Sequence, residues 1–133
     1  MRAVLCKSYG PPESLVIEEI EPLKPGPGQV VVGVKACGVN FPDTLIIEGK
    51  YQFKPELPFS PGGEVAGVVK ALGEGVERVK VGQRVIAFTG WGGFAEEVLV
   101  ETKGLIPIPE QMDFVKSLAE NILPENLPVY RGA

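Results

Sequence analysis

The sequence contains no histidine at all. This absence excludes the imidazole base of a serine or cysteine triad, and it excludes every metal site that uses a histidine ligand. The only cysteines are Cys6 and Cys37, which form no CxxC pair, so a redox dithiol and a cysteine-based zinc ribbon are excluded too. A general acid or base would therefore have to be a carboxylate, a lysine, a tyrosine, a cysteine, a bound water or the substrate itself.

Long apolar runs and basic clusters are also missing. No run reaches the roughly 18–20 apolar residues that span a membrane, and the start "MRAVLCKSYG" lacks the apolar stretch of a signal peptide. We therefore expect a cytoplasmic protein that does not contact a membrane. The net charge of −4, without a Lys/Arg cluster, argues against nucleic-acid binding. The remaining composition, 44% hydrophobic and 23% charged over 133 residues, is typical of one soluble globular domain.

Short apolar runs separated by glycine and proline predict many short strands. In "QVVVGVKACG" the side chains of Val30, Val32 and Val34 share one face, which makes this the clearest strand. Turns recur at spacings of roughly 8–12 residues, which predicts an all-β barrel or sandwich. Further strands are predicted over 1–7, 14–20, 64–73, 83–90 and 93–101.

Two segments predict helices instead. "NFPDTLIIEG" predicts a short helical turn with Asn40 as its cap and Pro42 in its first turn. "MDFVKSLAENI" predicts a helix capped by Asp113, with apolar residues on one face at Phe114, Leu118 and Ile122.

The stretch "ACGVNFPD", residues 36–43, holds the candidate chemical groups. Cys37 has no histidine to activate it, so an inert, partly buried thiol is favoured over a nucleophile. The amide of Asn40 donates and accepts without titrating, so it can orient a carbonyl or carboxamide; a turn or helix cap is an equal alternative. Asp43 and Glu64 form a carboxylate pair or act separately as solvated or capping groups, and the sequence leaves this open.

The glycine motifs do not predict a phosphate site. "GEGVER", residues 73–78, has Arg78 where a dinucleotide fingerprint needs its third glycine, and a strand pattern follows it. "PGGE" and "WGGF" lack the G-K-[ST] ending of a phosphate loop. Such glycine pairs beside strands predict a tight bend or a close backbone approach.

Three stretches in order, "ACGVNFPD", "PFSPGGEVAGVV" and "LGEGVERVKVGQRV", followed by "GGFAEE", resemble the medium-chain dehydrogenase/reductase superfamily. The resemblance is to its N-terminal GroES-like catalytic domain and covers about residues 1–112. "GVNFPD" and "PGGE" are similar to the zinc-independent branch, the quinone oxidoreductases related to zeta-crystallin. The fold that this implies is mostly β, a GroES-like partly open β-barrel with a few short helices.

The resemblance also implies that no metal is bound. Zinc-dependent members of the superfamily carry a ligand cysteine at the position of Asn40, a ligand histidine at Gly63 and often a proton-relay hydroxyl at Pro42. A catalytic zinc needs about three protein ligands. Since neither an asparagine side chain nor a glycine replaces a thiolate or an imidazole, we expect no zinc.

The function that the resemblance implies is hydride transfer from NADPH to a quinone or an activated enone. The cofactor would carry this chemistry, and the protein would supply position and electrostatics. Asn40 would lie near the nicotinamide and the substrate carbonyl, and Asp43 would support that turn. Leu45 stands where relatives often have an active-site tyrosine, and Tyr51 is expected to line the substrate cleft. There are two alternatives to this function. One is an enoyl or alkenal reductase, and the other is a non-catalytic binding or structural module.

The resemblance implies a Rossmann domain after residue 112 that the sequence does not contain. Residues 113–133 do not match what normally follows, and a truncation, a splice product and an engineered replacement are all open. We expect the isolated chain to bind NADPH poorly and to be inactive. Residues 113–123 are expected to cover apolar surface of the barrel, either within the chain or across a homodimer.

Overall fold

Seven strands and two α-helices make up residues 1–121, the part of the chain that the computed structural model describes. Single 3₁₀ turns lie at Pro12–Ser14 and Thr102–Gly104. In chain order the elements are β1 (Arg2–Leu5), β2 (Val16–Glu19), β3 (Gln29–Cys37), α1 (Phe41–Ile46), β4 (Glu64–Leu72), β5 (Arg84–Phe88), β6 (Glu97–Glu101), β7 (Leu105–Pro107) and α2 (Phe114–Asn121).

The strands form two antiparallel sheets. The larger sheet has the order β6-β3-β4-β5-β7, and β1 and β2 form a separate hairpin. Isolated bridges, Ala3 with Ala95 and Cys6 with Phe59, tie the hairpin to the rest. Within residues 1–121 the larger sheet keeps two edges, β6 and β7, and does not close into a barrel. The predicted fold, mostly β with a partly open GroES-like arrangement, is confirmed.

The core lies against the central strands of the larger sheet. The alternation predicted for β3 is present, because Val30 and Val32 are fully buried in one cluster and Val34 packs against it. Val31, on the other face, is 2% exposed, so β3 is covered on both sides at this point. The residues that join β3 in this cluster come from β4, β5, β6, β7 and the connection between β4 and β5: Val65, Val69, Val79, Val85, Ala87, Val98, Val100 and Leu105.

The predicted strand over 93–101 is wrong in its first half, because β6 begins only at Glu97. Just before Glu97, backbone N–H groups hydrogen-bond to parts of the chain outside the larger sheet. The N–H groups of Gly93 and Phe94 donate to the carbonyls of Gly62 and Pro61, each at 2.9 Å. The N–H of Glu96 donates to the carbonyl of Arg2 at 3.1 Å. Residues 93–96 therefore link residues 61–62 to the β1–β2 hairpin, and contact with β3 starts at Glu96, whose carbonyl accepts the N–H of Val34 at 2.9 Å.

Helix α2 covers one side of the larger sheet within the chain. Its predicted cap is confirmed, since Asp113 Oδ1 accepts the N–H groups of Val115 and Lys116 at 2.8 and 3.2 Å. Phe114 and Leu118 pack against the buried cluster of Ala66, Ile86 and Ile108. Ile122, predicted on the same face, lies outside the described residues, and a homodimer stays a prediction.

Arg84 of β5 fixes the connection between β7 and α2. Its guanidinium donates to the carbonyls of Pro109 at 3.2 Å and Met112 at 2.6 Å, and also to that of Glu110. The same group lies over the Phe114 ring, 4.1 Å from its centre, in a cation–π contact. One side chain therefore satisfies the carbonyls of the connection and holds the start of α2.

We expect Leu118→Asp to lower the free energy of unfolding by about 1–3 kcal/mol, because it places a carboxylate in an apolar contact. Val115→Asp is the matched control: Val115 lies on the same helix but is 48% exposed, so its change should be within about 0.5 kcal/mol. Urea unfolding measures both variants. Equal unfolding midpoints for both variants and the parent would show that α2 does not stabilise the sheet.

Candidate functional site

Three strand ends meet at one end of the larger sheet. The N–H of Gly38, just past β3, donates to the carbonyl of Glu64 at 2.9 Å, and Glu64 at the start of β4 pairs with Phe88 at the end of β5. "ACGVN" and "GGE", which are distant in sequence, are thereby adjacent in space. The candidate residues Asn40 and Asp43 follow directly from the first of these strand ends.

Helix α1 starts at this end of the sheet. Asn40 has an extended backbone, with φ −125° and ψ 164°, and is the N-cap residue, which confirms the predicted cap position. Pro42 lies in the first turn, where its missing N–H costs no hydrogen bond. The carboxylate of Asp43 turns back and accepts the N–H of Asn40 at 2.8 Å. The backbone of Asn40 is therefore fixed from within its own helix.

Asp43 joins α1 to the glycine loop, residues 61–63. The side chain is 7% exposed, and its Oδ1 accepts the N–H of Gly62 at 3.2 Å. Burial raises the pKa of the carboxyl, while hydrogen bonds from the backbone N–H groups of Asn40, Gly62 and Gly63 act in the opposite direction. Since its oxygens are occupied by backbone donors, Asp43 acts by holding the loop in place.

The glycine loop packs closely against residues 89–94. Thr89 N–H donates to the Gly63 carbonyl at 2.8 Å, and Gly92 N–H donates to the Ser60 carbonyl at 2.6 Å. Gly62 has φ +101°, and a Cβ there would lie 2.6 Å from Phe94 Cδ1. The close backbone approach predicted for "PGGE" is confirmed.

Glu64 contacts Asn40 directly. The Asn40 amide lies close enough to the Glu64 carboxylate to act on it as a hydrogen-bond donor. Burial raises the pKa of Glu64, the bond from Asn40 lowers it, and the negative charge of Asp43 raises it further. The two carboxylates that the sequence left unconnected are thus close enough for their charges to interact. Sequence reasoning missed Glu64 as a partner of Asn40, since only the pairing of β3 with β4 brings the two together.

Cys37 lies beside this group as a protonated thiol. A Cβ on either Gly62 or Gly93 would lie 2.9 Å from its Sγ, which shows how closely both glycines approach. Burial, reinforced by the charges of Asp43 and Glu64, raises the pKa of Cys37 to about 12. A thiol with this pKa is not a nucleophile at neutral pH, in agreement with the inert thiol favoured by the sequence. Across residues 1–121 no group of three Cys, Asp or Glu side chains is placed to hold a metal ion.

Leu45 and Tyr51 lie around the far end of α1. The Leu45 carbonyl accepts the N–H groups of Glu48 at 3.2 Å and Lys50 at 2.9 Å, which closes the helix. Tyr51 packs against a small buried cluster formed by Cys6, Ile46, Ile47 and Phe59, with its ring edge-on to Phe53 at 5.7 Å between centres. Tyr51 thus belongs to this second cluster, while Asn40, Asp43 and Glu64 form one group.

Exposed apolar side chains lie close to the polar group along the chain and across the sheet. Val39 and Phe41 flank Asn40 in sequence and are 52% and 73% exposed. Phe88, the last residue of β5, is the partner of Glu64 in the sheet, and Trp91 follows three residues later; they are 41% and 39% exposed. A neutral amide with apolar neighbours suits an uncharged, flat molecule with a carbonyl group. Neither helix within residues 1–121 has the length and apolarity of a membrane span.

Known proteins similar to this chain include oxidoreductases. The alcohol dehydrogenase GroES-like domain matches residues 26–110. Quinone oxidoreductase-like protein 2 of Bos taurus is 43% identical over 118 residues, which are 89% of this chain and 33% of the relative.

Among solved structures, human synaptic vesicle membrane protein VAT-1 homolog-like protein has a TM-score of 0.85 at 34% identity, over 90% of this chain and 38% of that one. Escherichia coli quinone oxidoreductase complexed with NADPH has a TM-score of 0.84 at 30% identity, over 90% and 37%. The chain spans about a third of the length of the relatives that it matches.

Proposed function

The chain belongs to the family of alcohol dehydrogenase GroES-like domains, and we propose that it is the substrate-side domain of a zinc-independent quinone oxidoreductase. In this proposal residues 1–112 are the domain that positions the substrate. The substrate is a quinone or an activated enone, and the hydride donor is NADPH. Asn40 and Asp43 act at the reacting end, and Leu45 and Tyr51 lie along the substrate path.

The observation that carries the proposal is the group of Asn40, Asp43 and Glu64 at an open, apolar end of the sheet. The group supplies a neutral amide whose backbone Asp43 fixes through a hydrogen bond of 2.8 Å. A fixed amide can orient a carbonyl without a charge and without a metal, as quinone or enone reduction needs. Our proposal that no zinc takes part rests on Asn40 and Gly63 at the positions where zinc-dependent relatives have ligands.

The described residues do not fit the pyrophosphate of NADPH. Within residues 1–121 the G-x-G stretches at 26–28, 73–75 and 90–92 all lie between strands, and the next element after each is a strand, not a helix. A dinucleotide needs aligned N–H groups at a helix N-terminus and a group that holds the ribose. We therefore propose that a second domain binds most of NADPH and that this chain alone binds it more weakly than about millimolar.

A chimera tests the function directly. Residues 1–112 would replace the corresponding segment of the Escherichia coli quinone oxidoreductase, whose structure was solved with NADPH. In that chimera Asn40→Ala should lower kcat/KM by about 10–100-fold, because one positioned polar contact is worth about 1–3 kcal/mol. Gln52→Ala, which removes an exposed amide from the next loop, is the matched control and should leave kcat/KM unchanged.

Two comparisons decide between the candidate functions. A chimera that folds and binds NADPH but reduces neither a quinone nor an enone would favour a non-catalytic module. This alternative is kept because relatives are named both as oxidoreductases and as a synaptic vesicle membrane protein homologue. A chimera that reduces an alkenal far better than a quinone would favour an enoyl or alkenal reductase.

A further inference from the structure

We propose that Glu64 is the positioning residue for Asn40: its ionised carboxylate accepts one N–H of the Asn40 amide nitrogen, Nδ2, and so directs the second N–H, which can donate to a ligand's carbonyl. The inference deepens the proposed function and rests on it only in taking Asn40 as a ligand-binding group. The contact between Glu64 and Asn40 is a property of the chain itself and can be measured without any reaction.

The two side chains meet over the bare backbone of Gly38. A Cβ added at Gly38 would lie 3.3 Å from Asn40 Nδ2 and 3.4 Å from Glu64 Oε2. The nitrogen end of the amide and one carboxylate oxygen therefore occupy the same small space above this glycine. Nδ2 is the donor end of the amide, so the end of Asn40 beside this glycine is the one that a hydrogen bond to the carboxylate requires.

The backbones that carry the two side chains are fixed independently. Gly38 N–H donates to the Glu64 carbonyl at 2.9 Å, which ties the end of β3 to the start of β4. Asp43 Oδ2 accepts the Asn40 N–H at 2.8 Å. The side-chain torsions of Asn40 are then set from two sides: in the capping box its oxygen faces the Asp43 N–H, and its nitrogen faces the Glu64 carboxylate.

The charge of Glu64 favours one orientation of the Asn40 amide. An ionised carboxylate accepts hydrogen bonds and cannot donate, so the amide must turn its N–H₂ toward it. A glutamine at position 64 both donates and accepts, so it would tolerate either orientation of the Asn40 amide. The partial burial of Glu64 strengthens the effect, because a carboxylate removed from water needs a donor and Asn40 supplies one.

The experiment is an NMR titration of the chain as it is. The sequence has three asparagines and four glutamines, so seven side-chain amide groups must be assigned. We expect the Asn40 N–H₂ resonances to titrate with the same midpoint as the Glu64 side-chain carboxyl carbon, above the usual glutamate pKa of about 4.3. The Asn40 backbone N–H should instead follow Asp43, its own acceptor. The groups that face Glu64 are Asn40, Asp43 and Cys37, and the thiol stays protonated throughout.

Variants then test the assignment. Glu64→Gln should abolish the titration of the Asn40 N–H₂ while leaving that of the backbone N–H. Glu97→Gln is the matched control, since Glu97 bonds Lys70 on the same sheet, and it should change neither. If Glu64→Gln does not fold, Glu64→Asp replaces it, because the shorter side chain draws the carboxylate back from Asn40 and should weaken the coupling.

The outcomes are distinct from those of the enzyme assay. An Asn40 N–H₂ that does not follow Glu64, or that titrates equally in Glu64→Gln, would overturn the inference. If the coupling is present and the chimera nevertheless reduces neither substrate, the positioning stands and the proposed function falls.

Discussion

Replacing Gly62 with alanine is expected to lower the free energy of unfolding by about 3 kcal/mol or more. Two costs add at this position. The backbone has φ +101°, a region that costs an L-residue about 1–2 kcal/mol. The new Cβ would also lie 2.6 Å from Phe94 and 2.9 Å from Cys37 Sγ, and such overpacking typically costs about 1–3 kcal/mol.

Gly90→Ala separates these two costs. Gly90 lies in the facing segment, has φ +80° and would leave its Cβ without a neighbour within 4 Å. This control should therefore show only the backbone cost, about 1–2 kcal/mol. Urea unfolding of both variants gives the comparison. Equal losses for Gly62→Ala and Gly90→Ala would mean that the glycine loop can move away from Phe94 and Cys37, and that the loop does not hold the site rigidly.

The parts of the fold that depend on local pattern were predictable. The alternation of valines predicts β3, and Asn40, Pro42 and Asp113 predict where the helices begin, because caps and strand faces are properties of a few neighbouring residues. The strand predicted over 93–101 failed at Gly93 and Phe94. Their N–H groups are taken by carbonyls of residues 61–62, a long-range partner that no local pattern reveals.

The candidate site was predictable only where its residues are close together in the sequence. The resemblance singled out Asn40 and Asp43, and the structure places both at one strand end. Their partners come from other strands: Glu64 contacts Asn40 only because β4 pairs with the end of β3. Arg84, which holds the connection to α2 through carbonyls of residues 109–112, gave no signal either, since an arginine in a strand predicts no particular partner.

Asp43→Asn is expected to lower the free energy of unfolding by about 1–3 kcal/mol and to release the glycine loop. Asp43 is 7% exposed and accepts the N–H groups of Asn40 and Gly62. An asparagine keeps one accepting oxygen and turns an N–H₂ toward a backbone donor, so at least one buried N–H is left unpaired. Hydrogen exchange should show the loss at the amides of Gly62 and Gly63. An exchange rate at these amides equal to the parent's would show that Asp43 does not hold the loop.

The pH dependence of this loss has a definite sign. The folded-state pKa of Asp43 is raised, chiefly by burial, so the folded chain holds this proton more tightly than the unfolded chain. Its contribution to stability is therefore fully present below the unfolded pKa of about 3.9 and falls as pH rises through the raised folded value. The stability difference between the parent and Asp43→Asn should accordingly narrow as pH rises through that window.

The stability difference between the parent and Glu97→Gln should change with pH in the opposite direction, so this variant serves as the control. The hydrogen bond from Lys70 lowers the pKa of Glu97, so its contribution is present above the unfolded pKa and is lost as pH falls through the folded value. The difference between the parent and Glu97→Gln should therefore widen as pH rises. Urea unfolding at a series of pH values across both windows measures the two slopes. If both stability differences widened as pH rises, the hydrogen bonds from the backbone donors would stabilise the ionised Asp43 by more than burial destabilises it. The charge of Asp43 would then be a net stabiliser of the site.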